Sequence, residues 1–197
     1  MRSERQPTVE YDVVVTNPPV FPPPAQGKYQ VRFDVGVDGL ARIGQADVVV
    51  WVDALGTSGA GVDVAAVAPG AAVVGATLRS RAATARWILE HQVALGRRVS
   101  ISVVAATDGG VFSATDVLAA GAVIDALSTL GIDFTSPEAA VACAAFSGLS
   151  GAVAHLYTAS VAGQELVASG TVTAEELRAL ARLDAESETV VLRLPSA

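Results

Sequence analysis

Cysteine is nearly absent: the 197 residues contain one, Cys143. A single thiol excludes an internal disulfide and a cysteine-rich zinc centre. Charge is sparse as well, at 17% of residues, and positive charge is sparser, with 13 Lys and Arg against 20 Asp and Glu. A net charge of −7 is the wrong sign for a nucleic-acid partner. All the basic residues except Lys28 are arginine, a bias of GC-rich coding rather than of function. The two histidines, His91 and His155, stand alone and read as ordinary helix residues. No unbroken apolar run approaches the roughly 18 residues of a membrane span. The opening residues Met1 to Gln6 lack an apolar signal core, so the expected location is the cytoplasm, with no membrane partner. A phosphate-cradling G-x-x-x-x-G-K-[ST] loop, a dinucleotide G-x-G-x-x-G turn, H-E-x-x-H and G-x-S-x-G are all missing.

What is present is apolar. Hydrophobic residues make up 51% of the chain, enough for one generous core in one domain of this length. The most informative stretch runs from Ala46 to Gly61. Within it, Val48 to Val52 is apolar without alternation and ends on one carboxylate, Asp53. Such a run predicts a strand buried on both faces, as in a parallel sheet. Gly56, Thr57, Ser58, Gly59 and Gly61 follow. Ligands of open α/β sheets bind beyond the carboxyl ends of strands. Asp53 is therefore a candidate for holding a divalent cation or organising an anion site. It reads equally as the N-cap of a helix starting near Leu55.

Along the chain, residues 11–15 form a candidate first strand. Residues 17–24 carry five prolines, which predicts a stiff, extended connection that is neither strand nor helix. It serves as a linker or, less simply, as a peptide ligand. Residues 1–28 are thus an arm and connection, and 29–197 one α/β domain. Strands are expected at 30–35, 47–53, 71–75, 97–106 and 189–194. Helical segments are expected at 38–43, 63–68, 81–95 (capped by Ser80 and stopped by Gly96), within 112–130, and at 136–147, 150–159, 162–169 and 173–183. Thr173-Ala-Glu-Glu176 is a capping box. The small run 119–122 lets another backbone approach closely. Strands alternating with helices early and helices alone later define an α/β protein: a mostly buried sheet flanked by helices, with a helical C-terminal half.

Few other residues carry chemistry. Cys143, among alanines and Val141, is expected to be buried, and burial raises a thiol's pKa and makes it inert. The alternative role is a nucleophile. Arg79, Arg81 and Arg86 flank a predicted helix start, where amides and guanidinium forks can hold phosphate. They read equally as a solvated face.

Several blocks resemble the 2-phosphosulfolactate phosphatase family. They are Gln30–Gly36, Ala46–Ser58, Gly75–Ile88, which is similar to a Gly-Ser-x-Arg-Asn-x-x-Ala-Val-Ala-Arg-Trp segment, and Phe112–Asp125, which is similar to a Glu-Asp-x-x-x-Ala-Gly-Ala helix. The tail from Ala159 through Gly163–Val167 to Asp184 and the last strand keeps the same order. The resemblance is scattered over 30–194. It implies phosphate-monoester hydrolysis with Mg²⁺ and a small anionic phosphorylated substrate or acidic ligand; a separate reading, independent of the resemblance, is a structural subunit whose Ala-rich helices build a homo-oligomer. By resemblance, Asp53 and Asp116 are the catalytic carboxylates and metal ligands. Asp108 is a third metal ligand in place of a lost Glu, and Thr57, Ser58, Arg79 and Arg81 bind substrate.

The departures are specific. The family's Gly-Glu-Arg and Asn-Gly-Thr or Asn-Gly-Ser elements have no counterpart between Gly59 and Val74. The Glu of the helix segment is Thr115, and the Asn after the first Arg is Ser80 or Arg81. The resemblance therefore implies a shortened member with weakened activity. The alternative is an inactive one that binds a small acid or a protein partner.

Overall fold

The computed structural model describes residues 21–56, 61–107 and 111–195. The expected strand at 11–15, the first half of the proline-rich connection (17–20), and Thr57, Ser58 and Asp108 lie outside the described residues.

Five strands form one sheet in the order β1-β4-β2-β3-β5. β2 (Val48–Val52) is the central strand. It runs parallel to β4 (Ile101–Ala105) on one side and β3 (Ala72–Ala76) on the other. β1 (Val31–Val35) adds parallel to β4, and β5 (Val190–Arg193) adds antiparallel to β3. Every residue of β2 and β4 is buried, as runs without polar alternation require of strands covered on both faces. The fold class is α/β.

The two faces are unequal. Val48, Val50 and Val52 join Val74, Ile101 and Val103 in the larger core. That core is covered by α2 (Arg81–Leu95), α3 (Ala114–Thr129), α4 (Pro137–Leu149) and α5 (Val153–Ala159). Val49, Trp51, Val73 and Val104 point the other way, onto Leu40 and Ile43 of α1 (Gly36–Ile43). α6 (Val161–Ala168) and α7 (Ala174–Leu180) complete the helical half. The helix starts are chemically marked. Ser113 caps α3 by accepting from the Asp116 amide, and Ser136 caps α4 ahead of Pro137. Thr173 and Glu176 form the reciprocal capping box of α7. Gly121 lets α3 and α4 meet, because a Cβ there would collide with the Ala142 carbonyl.

The sheet's outer edge at β1 is closed without a further strand. Gln30 and Val31 donate to the Phe134 carbonyl, and Ser136 donates to that of Val31. Beyond them the Gln26 side chain imitates a neighbouring backbone. Its Nε2 donates to the Phe33 carbonyl and its Oε1 accepts from the Phe33 amide.

Several local expectations change. Pro23–Ala25 is a 3-10 turn, because proline's fixed φ suits a first helical position even where it forbids a helix interior. No helix starts at Leu55; Asp53 instead closes a turn by accepting from the Gly56 amide at 2.8 Å. The segment at 63–68 shrinks to a 3-10 turn, Val64–Ala66. β4 starts only at Ile101, since the Ser100 amide is taken by the Asp47 carboxylate at 2.7 Å. Ser80 precedes α2 without capping it by its side chain, because its hydroxyl accepts from the Thr77 amide. Residues 150–152 are a 3-10 turn that delays α5 to Val153. Among the described residues, Pro137–Ala168 is long and apolar enough in total to cross a membrane. It is divided into α4, α5 and α6, with extended backbone at Ser160, and Ala139, Ala142 and Phe146 of α4 are buried in the core.

Candidate functional site

The carboxyl end of the central strand carries the chemistry. Asp53 is the residue after β2, half-buried, at the start of its turn. The next amide, Ala54, donates to Asp116 Oδ1 at 2.7 Å. Asp116 lies in the first turn of α3 and is buried. A single backbone amide thus ties the end of β2 to the start of α3 and brings the two carboxylates into mutual range. Burial pushes Asp116 up to about 6. Hydrogen bonds from Ser113 and the Ala54 amide oppose this, and the charge of Asp53 adds to it. A helix N-terminus ordinarily favours an ionised carboxylate, so desolvation is the dominant effect at this position. The two residues offer hard oxygen donors, the kind a divalent cation such as Mg²⁺ takes.

The arginines are elsewhere engaged. Arg79 donates to Glu186 at 2.7 Å and to the Ala179 carbonyl at 2.9 Å. Arg81 pairs with Asp125 at 3.0 Å and with Asp184 at 3.2 Å, and its guanidinium lies 5.2 Å from the centre of the Phe146 ring. Asp184 also accepts from the Ala82 amide at 3.1 Å. The place at the start of α2 that the sequence offers to a phosphate is therefore filled by the chain's own carboxylate. Cys143 is half-buried rather than buried. Burial, and then the charge of Asp125, still push its thiol up.

Sequence reasoning missed Tyr157. It is fully buried on α5, and its hydroxyl has no hydrogen-bond partner among the described residues. Burial, and then the Asp116 charge, hold its pKa well above the usual phenol value. Nothing in His155-Leu-Tyr-Thr-Ala159 signals this, since a helical Tyr between apolar positions reads as packing.

No family model matches the chain, and no curated protein or solved structure matches it. The fold and the site define a class: an α/β protein with one half-buried carboxylate after its central strand and a buried one at the start of the helix hydrogen-bonded to that strand's end.

Proposed function

We propose that this protein is a Mg²⁺-dependent phosphate-monoester hydrolase of the 2-phosphosulfolactate phosphatase type, weakened in activity and working in the cytoplasm. The observation that carries the reading is the hydrogen bond from the Ala54 amide to Asp116, which brings that carboxylate to the carboxyl end of β2, where Asp53 follows the strand. The donor set fits the ion: carboxylate oxygens suit Mg²⁺, which usually takes one or two of them and fills its other positions with water and phosphate oxygens. Among the described residues no group of three His, Cys, Asp or Glu side chains forms a fuller cage. Bound there, the cation would offset the charge of the phosphoryl group. The chain's own part is positional. The Ala54 amide and Ser113 fix the Asp116 carboxylate, and the Gly56 amide fixes that of Asp53. Below about pH 6 Asp116 retains its proton and competes with the cation. Thr57 and Ser58 would supply hydroxyls to the phosphate.

A second reading, a family-like protein that binds a small acid or assembles with itself without catalysis, is favoured by one observation. Asp184 neutralises Arg81 and occupies the amide at the start of α2. Steady-state assays with Mg²⁺ on 2-phosphosulfolactate and on a general phosphate monoester separate the two. The expected result is turnover abolished by Asp53→Asn and reduced by a factor of about 10² to 10³ relative to an enzyme with intact phosphate-binding elements. Cation binding without turnover supports the second reading. Absence of both removes the cation site.

A further inference from the structure

β5 is last in the strand order and pairs with β3 alone. Among the described residues, no other backbone group meets its outward N–H and C=O groups. Such an unpaired row is a template for another extended strand. Edges of this kind are ordinarily guarded by an outward charge or a proline. The one charged residue of β5 is Arg193, and its guanidinium is turned onto the carbonyls of Val64, Val67, Ala68 and Ala71. It leaves the edge unguarded. Val190 and Leu192 are 61% and 44% exposed, and Leu194, just after the strand, 62%. Pro195 follows and, having no N–H, ends the run. The opposite edge, β1, is closed by the Gln26 side chain and by the segment at 134–136.

We propose that β5 is a homodimer interface: it pairs antiparallel with the β5 of a second copy across a two-fold axis and joins the two five-stranded sheets into one. The occupant follows from closure and from charge. What fits open backbone groups is a strand, and β1 of a second copy is sealed against serving as one. β5 meeting β5 is self-complementary and stops at two copies, whereas β5 meeting β1 would propagate as a filament. Outward-facing residues alternate along a strand, so the axis falls at one residue that faces its own copy. With Leu192 there, Val190 faces the partner's Leu194, and apolar side chains meet apolar ones. Each chain carries a net charge of −7, but the exposed Glu188 carboxylates then lie about eight residues apart along the ladder, about 27 Å. That exceeds the screening length of about 8 Å at physiological salt. A pairing this short sits at the low end of interface size, where association is weak and transient. The inference does not depend on the cation reading, and it places self-association on the sheet edge rather than on the Ala-rich helices.

The test is sedimentation velocity of the full chain from about 1 µM to 1 mM, the range of weak association, for wild type, Leu192→Lys and Leu194→Lys. Circular dichroism checks the fold of each variant. Wild type is expected to pass from monomer to dimer and to stop there. Leu192→Lys sets like charges opposite each other at the axis, which destabilises a strand pair. Leu194→Lys lies outside β5 and is exposed, so it leaves the core alone and decides the matter if Leu192→Lys fails to fold. Each substitution is expected to raise the dissociation constant about tenfold. Wild type that stays monomeric throughout overturns the proposal, including the case in which the edge receives a strand of another protein. A dimer unchanged in both variants overturns it too, since the interface would then lie on another face, such as α4 to α6. Growth beyond the dimer with concentration also overturns it, because the contact would not close.

Discussion

Asp47 and Asp116 lie at opposite ends of β2 and are displaced in opposite directions. Burial draws Asp47 upward, but Arg97 at 2.7 Å and the amide and hydroxyl of Ser100 outweigh it and bring it to about 2. Burial carries Asp116 to about 6. The signs of their contributions to stability follow. Asp47 stabilises the fold above the unfolded carboxylate range, and that contribution is lost as pH falls from about 4 toward 2. Asp116 does the reverse: folding favours its protonated form, so stability present below about pH 4 is lost as pH rises through 6. For this buried group the loss amounts to about 2–3 kcal/mol. In chelator, Asp116→Asn is expected to raise stability at pH 7 by about 2 kcal/mol and to flatten the profile between pH 4 and 7. Asp47→Asn should lower stability at pH 7 by about 1 kcal/mol, since solvent screens its partly exposed pair. Urea denaturation at pH 4, 5.5 and 7 checks both, and a wild-type profile that still climbs from pH 4 to 7 contradicts the burial argument for Asp116. Asp53 was legible in the sequence because a charge ending an apolar run marks a strand's edge. The burial of Tyr157 was not, because it depends on which helix lies behind α3.

The elements were more legible than their ends. Val48–Val52 and Ile101–Ala105 announced buried strands by lacking polar alternation, and the capping box of α7 was visible residue by residue. Boundaries moved where a side chain from a distant part of the chain competed for a backbone group, as Asp47 does for the Ser100 amide. The same kind of competition hid the state of the α2 start. Arg79 and Arg81 were legible as a basic helix N-terminus, but their partners Glu186 and Asp184 are roughly a hundred residues away in sequence. Asp184 holds its place with φ at +54°, a conformation that disfavours most side chains. Asp184→Ala is therefore expected to expose the Ala82 amide and part of Arg81 and to create a weak phosphate or sulfate site, seen as anion-induced amide shifts in α2. No shift would mean that Asp125 alone keeps Arg81 occupied. Where helices cross, Gly121→Ala should destabilise the protein by about 2–3 kcal/mol in chemical denaturation, because backbone rather than a movable side chain meets the new methyl. Thr173→Ala should cost about 1 kcal/mol. A Gly121→Ala variant as stable as wild type would show that α3 and α4 can separate freely.

At the scale of the molecule the sheet has two kinds of edge. β1 is sealed by Gln26 and by the turn at 134–136, while Val190 and Leu192 of β5, and Leu194 just after it, are largely exposed. β5 is also bound differently. It pairs antiparallel with β3 across more than a hundred residues of chain, and Arg193 reaches past the sheet to the carbonyls of Val64, Val67, Ala68 and Ala71. Closing so long a loop costs entropy before any contact repays it. Pulse-labelled hydrogen exchange during refolding should therefore show β2 and β4 amides protected before those of β3 that bond β5; simultaneous protection would indicate one cooperative step. The consequence reaches the living cell. Synthesis runs from β1 toward β5, so the four parallel strands are all made while the strand that covers β3 is still to come. For that interval the nascent chain presents the bare flank of β3, with its valines, to whatever else is nearby, and Arg193 arrives late as the fastener that pins the 64–71 loop.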